Sequence, residues 1–150
     1  MPETFFGWVL FLVDKYGMIF FKGAGVTLAL AVVGTAIGCV IGLIVGVIQP
    51  VPVDNEDSFE KKLFTKILQW LMDAYVEIFR GTPMIVQAMV VYYGAMSLFE
   101  IDMSPMFAGF FVVSINTGAY MAETVRGGID SIDVGQKEAA VAIGMNHVQT

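Results

Sequence analysis

The run "GAGVTLALAVVGTAIGCVIGLIVGVI", residues 23–48, decides the fold. Lys22 precedes it, Gln49-Pro50 follows it, and it holds no charged residue. As an α-helix, about 26 residues at 1.5 Å each reach roughly 39 Å, more than the hydrocarbon thickness of a bilayer. Within it Gly34, Gly38, Gly42 and Gly46 recur every four residues, and Thr27, Ala31, Thr35 and Cys39 form a second stripe of small residues. Lipid gives helices no hydrophobic reason to associate, so a small-residue stripe that admits another backbone predicts a packed bundle.

Composition agrees. Of 150 residues 57% are hydrophobic and 15% charged, and mean hydropathy is +0.74. The net charge of −6 owes much to Asp54, Glu56, Asp57 and Glu60, a solvated loop that says little about partners. Cys39 is the single cysteine, so no disulfide forms within the chain. The first residues lack a basic segment, so no cleavable signal peptide is expected, and residues 1–21 read as an N-terminal interfacial helix.

After the first span, at 22–49, Asp57 and Glu60 have capping-box spacing for a helix over 59–80. There Lys62, Lys66, Gln69, Asp73, Glu77 and Arg80 draw one polar stripe on an otherwise apolar helix. The helix either lies in the interface or turns that stripe toward protein or a wet cavity. At its end, Arg80 complements the dipole, Gly81 suits a helix terminus, Thr82 a cap and Pro83 the first turn of the next helix. A second span is expected at 82–99. Ser104-Pro105 repeats the cap-then-proline start, and a third span is expected at 105–126. Glu77–Arg80 and Glu123–Arg126 are both E-x-x-R pairs before glycine, read as ion pairs along their own helices that mark helix ends. Asp133 and Gln136 then open an Ala-rich helix over 133–146.

Basic residues orient the chain. Lys61, Lys62, Lys66, Arg80, Arg126 and Lys137 fall on one side and the turn near Glu100 has none. An outside N-terminus and a cytoplasmic last helix follow.

No Walker A loop is present, so the chain does not bind ATP through one. His147 is the lone histidine and is far in sequence from Cys39, which rules against a zinc site. Ser97 and Ser114 have no histidine or lysine base in the spans. No metal, cofactor or nucleic-acid partner is expected. What remains is polar groups in the spans: Gln87, and Asn116, Tyr120 and Glu123 on one helical face with Thr117 beside them. They either bond between helices or line a solute route.

"YVEIFRGTPMIVQAMVVYYG" (75–94) and "INTGAYMAETVRGGIDSIDVGQKEAAVAIGM" (115–145) closely resemble two signatures of ABC transporter permease subunits of the polar amino acid class. The resemblance implies an all-α transmembrane bundle of the importer type, here three core spans plus a cytoplasmic coupling helix in one domain. It implies that Glu138, Ala139, Ala140 and Gly144 form the E-A-A-x-x-x-G coupling helix docking on separate ATPase subunits. It implies a second permease subunit, identical or paralogous, an extracytoplasmic amino-acid-binding protein, and residence in the bacterial plasma membrane. Gln87, Asn116, Thr117 and Tyr120 become candidate lining of the solute path. In the family the motif continues to an I-x-L-P element and further helices, so a chain ending at Thr150 reads as a C-terminally incomplete permease.

Overall fold

The computed structural model describes residues 4–51, 58–145 and 149. The described residues form no strand and five helices: α1 (Phe5–Ile48), α2 (Phe59–Gly81), α3 (Met84–Phe99), α4 (Pro105–Asp130) and α5 (Val134–Ala142). The fold is an all-α membrane bundle. The acidic residues Asp54, Glu56 and Asp57, together with Asn146 and His147, lie outside the described residues, and the helix expected over 133–146 ends already at Ala142.

α1 runs 44 residues without a break, opened by the Thr4 side chain accepting from the Gly7 amide at 3.2 Å. The expected division into a 1–21 helix and a 22–49 span is absent from its backbone. Nothing between residues 21 and 26 forces a break: there is no proline, and Gly23 and Gly25 permit a bend without imposing one.

α1 and α4 are each long and apolar enough to cross a membrane. α2 and α3 are bent by 110° at Thr82-Pro83 and count as a third crossing only when taken together as one broken span. α3 alone has 16 residues, about 24 Å of helix, against roughly 30 Å of hydrocarbon. The expected second span at 82–99 is therefore not a crossing by itself: two crossings stand on single helices, and a third forms if α2 and α3 cross together as one broken span.

α4 is the hub against which α1, α2 and α3 all pack. Ser104 accepts from the Phe107 amide at 3.2 Å and Pro105 takes the first turn, the start that the Ser-Pro spacing predicts. Gly34, Gly38, Gly42 and Gly46 are all buried on α4. A Cβ at Gly38 would stand 2.6 Å from Thr117 Cβ and 2.8 Å from the Ser114 carbonyl oxygen, and one at Gly46 2.6 Å from the Ala122 carbonyl oxygen. α4 answers with its own buried small stripe, Ser114, Gly118 and Ala122. Backbone meets backbone along this seam, where close packing supplies the attraction that lipid does not. Most of the second stripe of α1 has no such role: Thr27, Ala31 and Thr35 are exposed, and Cys39 is half-buried.

At the end of this seam Val45, Val76 and Ala122 are buried together, flanked by Ile41, Met72 and Tyr75. The Tyr75 hydroxyl donates to the Ile115 carbonyl of α4 at 2.6 Å. Among the described residues no large side chain is fully buried, while Leu28, Val32, Trp70 and Ile85 stand more than half exposed. Apolar surface of that extent suits lipid or further helices, not water.

α4 passes through Gly127 and Gly128 and ends at Asp130, four residues beyond expectation. Both glycines are helical, with open space where a Cβ would lie. Termination belongs instead to Ser131, whose amide donates to the Gly127 carbonyl at 3.0 Å and whose hydroxyl donates to the Gly128 carbonyl at 2.7 Å.

Candidate functional site

A helix that stops inside or beside a membrane leaves carbonyls without partners. At the end of α2 these are met by side chains from three places. The Thr82 hydroxyl donates back to the Ile78 carbonyl at 2.8 Å. Gln87, on the first turn of α3, donates its amide to the Phe79 carbonyl and the Thr82 carbonyl, both at 2.9 Å. Asn116 of α4 donates to the same Phe79 carbonyl at 3.1 Å and to Gln87 Oε1 at 3.2 Å. Gln87 is only 7% exposed. The elbow is thus held by a clamp of two carboxamides, which explains why two such polar groups occur in apolar helices.

This corrects the expected role of Thr82. It closes α2 and donates no cap to α3, whose N-cap position is Pro83 without a side-chain bond. Gly81 is the last residue of α2, with negative φ and nothing near its absent Cβ, so neither strain nor crowding requires glycine there.

The ion pairs also differ. Arg80 crosses from α2 to Glu123 of α4 at 3.3 Å, and among the described residues Glu77 has no ion pair. Arg126 does pair along its own helix, hydrogen-bonding Glu123 and approaching Asp130 at 3.8 Å. Glu123 therefore takes a cation from each of two helices. The Arg80 guanidinium also lies 5.6 Å from the centre of the Tyr120 ring. A cavity of about 280 Å³ opens here, lined by Gln49, Asp73, Val76, Glu77, Arg80, Glu123 and Arg126. Part of the polar stripe of α2 faces protein: Gln69 donates to the carbonyls of Gln49 and Val51, tying down the end of α1, and the Gln49 amide donates to Asp73, while Lys66 and Glu77 are exposed.

Of the four residues expected to line a solute path, Gln87 and Asn116 are turned onto the polypeptide itself. Thr117 abuts Gly38 on the α1 seam. Tyr120 is the open one, 51% exposed.

α5 stands apart and has no buried residue. Its start is capped by the Asp133 side chain, which accepts from the Gly135 amide at 2.7 Å. Its end is closed by two reverse bonds, Met145 amide to Ala140 carbonyl at 3.1 Å and Gly144 amide to Val141 carbonyl at 2.9 Å. Gly144 has φ 83°, the left-handed conformation that such a double closure needs and that other residues adopt at a cost. Glu138 and Ala139 are exposed and Ala140 half-buried. The motif glycine thus stops the helix that carries the Glu-Ala-Ala run. Among the described residues no group of histidine, cysteine, aspartate or glutamate could hold a metal ion.

The seam and the clamped elbow define a multi-helix membrane component. Residues 62–150 match the family described as binding-protein-dependent transport system inner membrane component, and the chain belongs to that family. The arginine transport system permease protein ArtQ of Bacillus subtilis is 45% identical over 76 residues, covering 51% of this chain and 35% of the relative. A putative glutamine transport system permease protein, GlnP of Rickettsia prowazekii, is 32% identical over 139 residues, covering 91% of this chain and 58% of the relative. Among solved structures, one described as an amino acid ABC transporter with histidines superposes with TM-score 0.77 at 32% identity, over 99% of this chain and 61% of that one. The chain thus spans about a third to three-fifths of the length of these proteins.

Proposed function

We propose that this chain is the membrane-spanning part of a permease subunit in an ATP-driven importer of polar amino acids. It works beside a second permease copy or paralogue, two ATPase subunits and an extracytoplasmic amino-acid-binding protein. The observation that carries this reading is α5. A helix of 9 residues, capped at both ends and with no buried residue, is too short to be stable in water by propensity alone; docking in a cleft of a partner supplies the missing contacts. Glu138 provides a polar contact there and the alanines allow close approach. ATP is hydrolysed by the partner, and this chain does no chemistry of its own.

In this reading the N-terminus lies outside and α5 in the cytoplasm. The elbow between α2 and α3 and the Arg80–Glu123–Arg126 cluster form the junction through which α4 relays partner closure to the spans. Tyr120 lines the solute path, while Gln87 and Asn116 position the elbow and Thr117 the seam. The named relatives carry arginine and, putatively, glutamine, which makes the amino-acid backbone the shared chemistry.

The test is a full-length permease carrying this chain, purified with its ATPase and assayed for amino-acid uptake in vesicles. Glu138→Lys is expected to abolish ATPase co-purification and uptake while leaving membrane insertion intact. Solute flux that persists without ATP, or an ATPase retained by the Glu138→Lys protein, would instead indicate a passive channel or a different docking site.

A further inference from the structure

α1 is too long for one crossing. Its 44 residues extend about 66 Å, while residues 23–48 alone already reach roughly 39 Å. Residues 5–21 are therefore surplus by about 25 Å of helix. None of residues 5–29 is buried, and the seam with α4 begins only at Leu30, which meets Gly109.

The surplus is not uniformly apolar. On a helical wheel Thr4, Asp14, Lys15 and Lys22 fall within an arc of about 100°. Phe5, Val9, Val13, Tyr16 and Phe20 lie opposite. Phe5 is 77% and Phe20 67% exposed. Such a helix standing straight up into water would wet this aromatic face; lying flat, it puts the face into lipid and the charges into solvent. Phe11 and Met18 share the charged arc, and the Lys15 ammonium lies 5.4 Å from the Phe11 ring centre and 5.5 Å from that of Tyr16. Between this segment and the span sit Gly23 and Gly25, and a Cβ at either would meet nothing within 4 Å. Packing therefore does not explain these glycines, and α1, unbroken here, is free to bend at them.

We propose that in a bilayer residues 5–21, continuous with the span in this structure, turn out of line with it at Gly23–Gly25 and lie as a lipid-embedded interfacial helix, with their aromatic face in the headgroup–acyl boundary of the outer leaflet. Its occupant is the bilayer, not a protein: the exposed face is broad and aromatic, with lysines at its polar edge, as membrane-surface helices are. The choice of leaflet rests on the orientation proposed above; the interfacial placement does not, and its test needs no transport.

Trp8 and Trp70 are the two tryptophans, so Trp70→Phe leaves Trp8 as sole reporter. The full chain is reconstituted in phosphatidylcholine vesicles brominated either near the headgroups or near the bilayer centre. Headgroup-proximal bromine is expected to quench Trp8 about twofold more strongly, as suits a helix only ~5–10 Å deep. Stronger quenching from the bilayer centre would make residues 5–21 part of a crossing. Quenching by aqueous acrylamide alone would leave them in water, and quenching by neither would put protein over them; each overturns the proposal. A nitroxide on Tyr16→Cys in a Cys39→Ala background measures depth independently. Gly23→Ala with Gly25→Ala is expected to lower the ratio of shallow to deep quenching, and an unchanged ratio removes the hinge.

Discussion

Three glycines with different reasons to be glycine show what a single residue decides here. Gly144 needs its left-handed φ, Gly42 needs the absence of a side chain, and Gly127 needs neither. Gly144→Val is expected to cost about 1 kcal/mol and to loosen the end of α5. In the proposed complex this weakens ATPase binding about fivefold, measured by titrating the ATPase onto the full-length permease. Gly127→Ala, in open helical space, is expected to be neutral or to stabilise by up to about 1 kcal/mol. Gly42→Ala places a methyl within 2.8 Å of the Gly118 carbonyl oxygen and is expected to destabilise by ~1–3 kcal/mol. Thermal unfolding in detergent separates the two: the midpoint holds or rises for Gly127→Ala and falls for Gly42→Ala. Gln87→Leu leaves the Thr82 carbonyl without its side-chain donor and Asn116 with the Phe79 carbonyl alone of its two acceptors, and is expected to cost about 1–3 kcal/mol by the same measurement.

Between elements, legibility followed distance along the chain. The seam of α1 was visible because its glycines repeat every four residues, a period that reports a face without reference to the partner. The cap at Ser104 was visible because its bond spans three residues. Thr82 was assigned to the wrong helix because its hydroxyl reaches equally back to a carbonyl four residues earlier, and the bend that decides the matter is tertiary. Arg80 and Glu123 had each been given a partner on its own helix; the pair they form is 43 positions apart, and no local spacing encodes it. The same holds for Asn116 and the Phe79 carbonyl. Glu123 is now the element-level link, so Glu123→Gln is expected to weaken the hold of α2 on α4. Its side chain and that of Arg80 are 30% and 40% exposed, which keeps the coupling energy near or below about 1 kcal/mol. A double-mutant cycle with Arg80→Met in detergent measures it; zero coupling would leave the elbow to the carboxamides alone.

For the whole molecule, composition gave the class of fold at once, and the boundaries of the crossings emerged only with the structure. α1 lacks a stop signal where one was expected, and α4 overrides two glycines because continuing hydrogen bonds outweigh the local freedom they offer. The orientation rests on basic residues and has a direct check. Lys137→Cys in a Cys39→Ala background is expected to react with an impermeant thiol reagent only when the cytoplasmic face is open; labelling of intact cells would reverse the topology.

The glycine seam has a mechanical consequence. Two rods in contact backbone to backbone have no side-chain slack to shear through, so α1 and α4 travel as a single stiff plank. Between that plank and α5 lie only Ser131, Ile132 and Asp133. In the proposed complex a sideways push on the short helix would reach the plank through those three residues, and flexure would concentrate there.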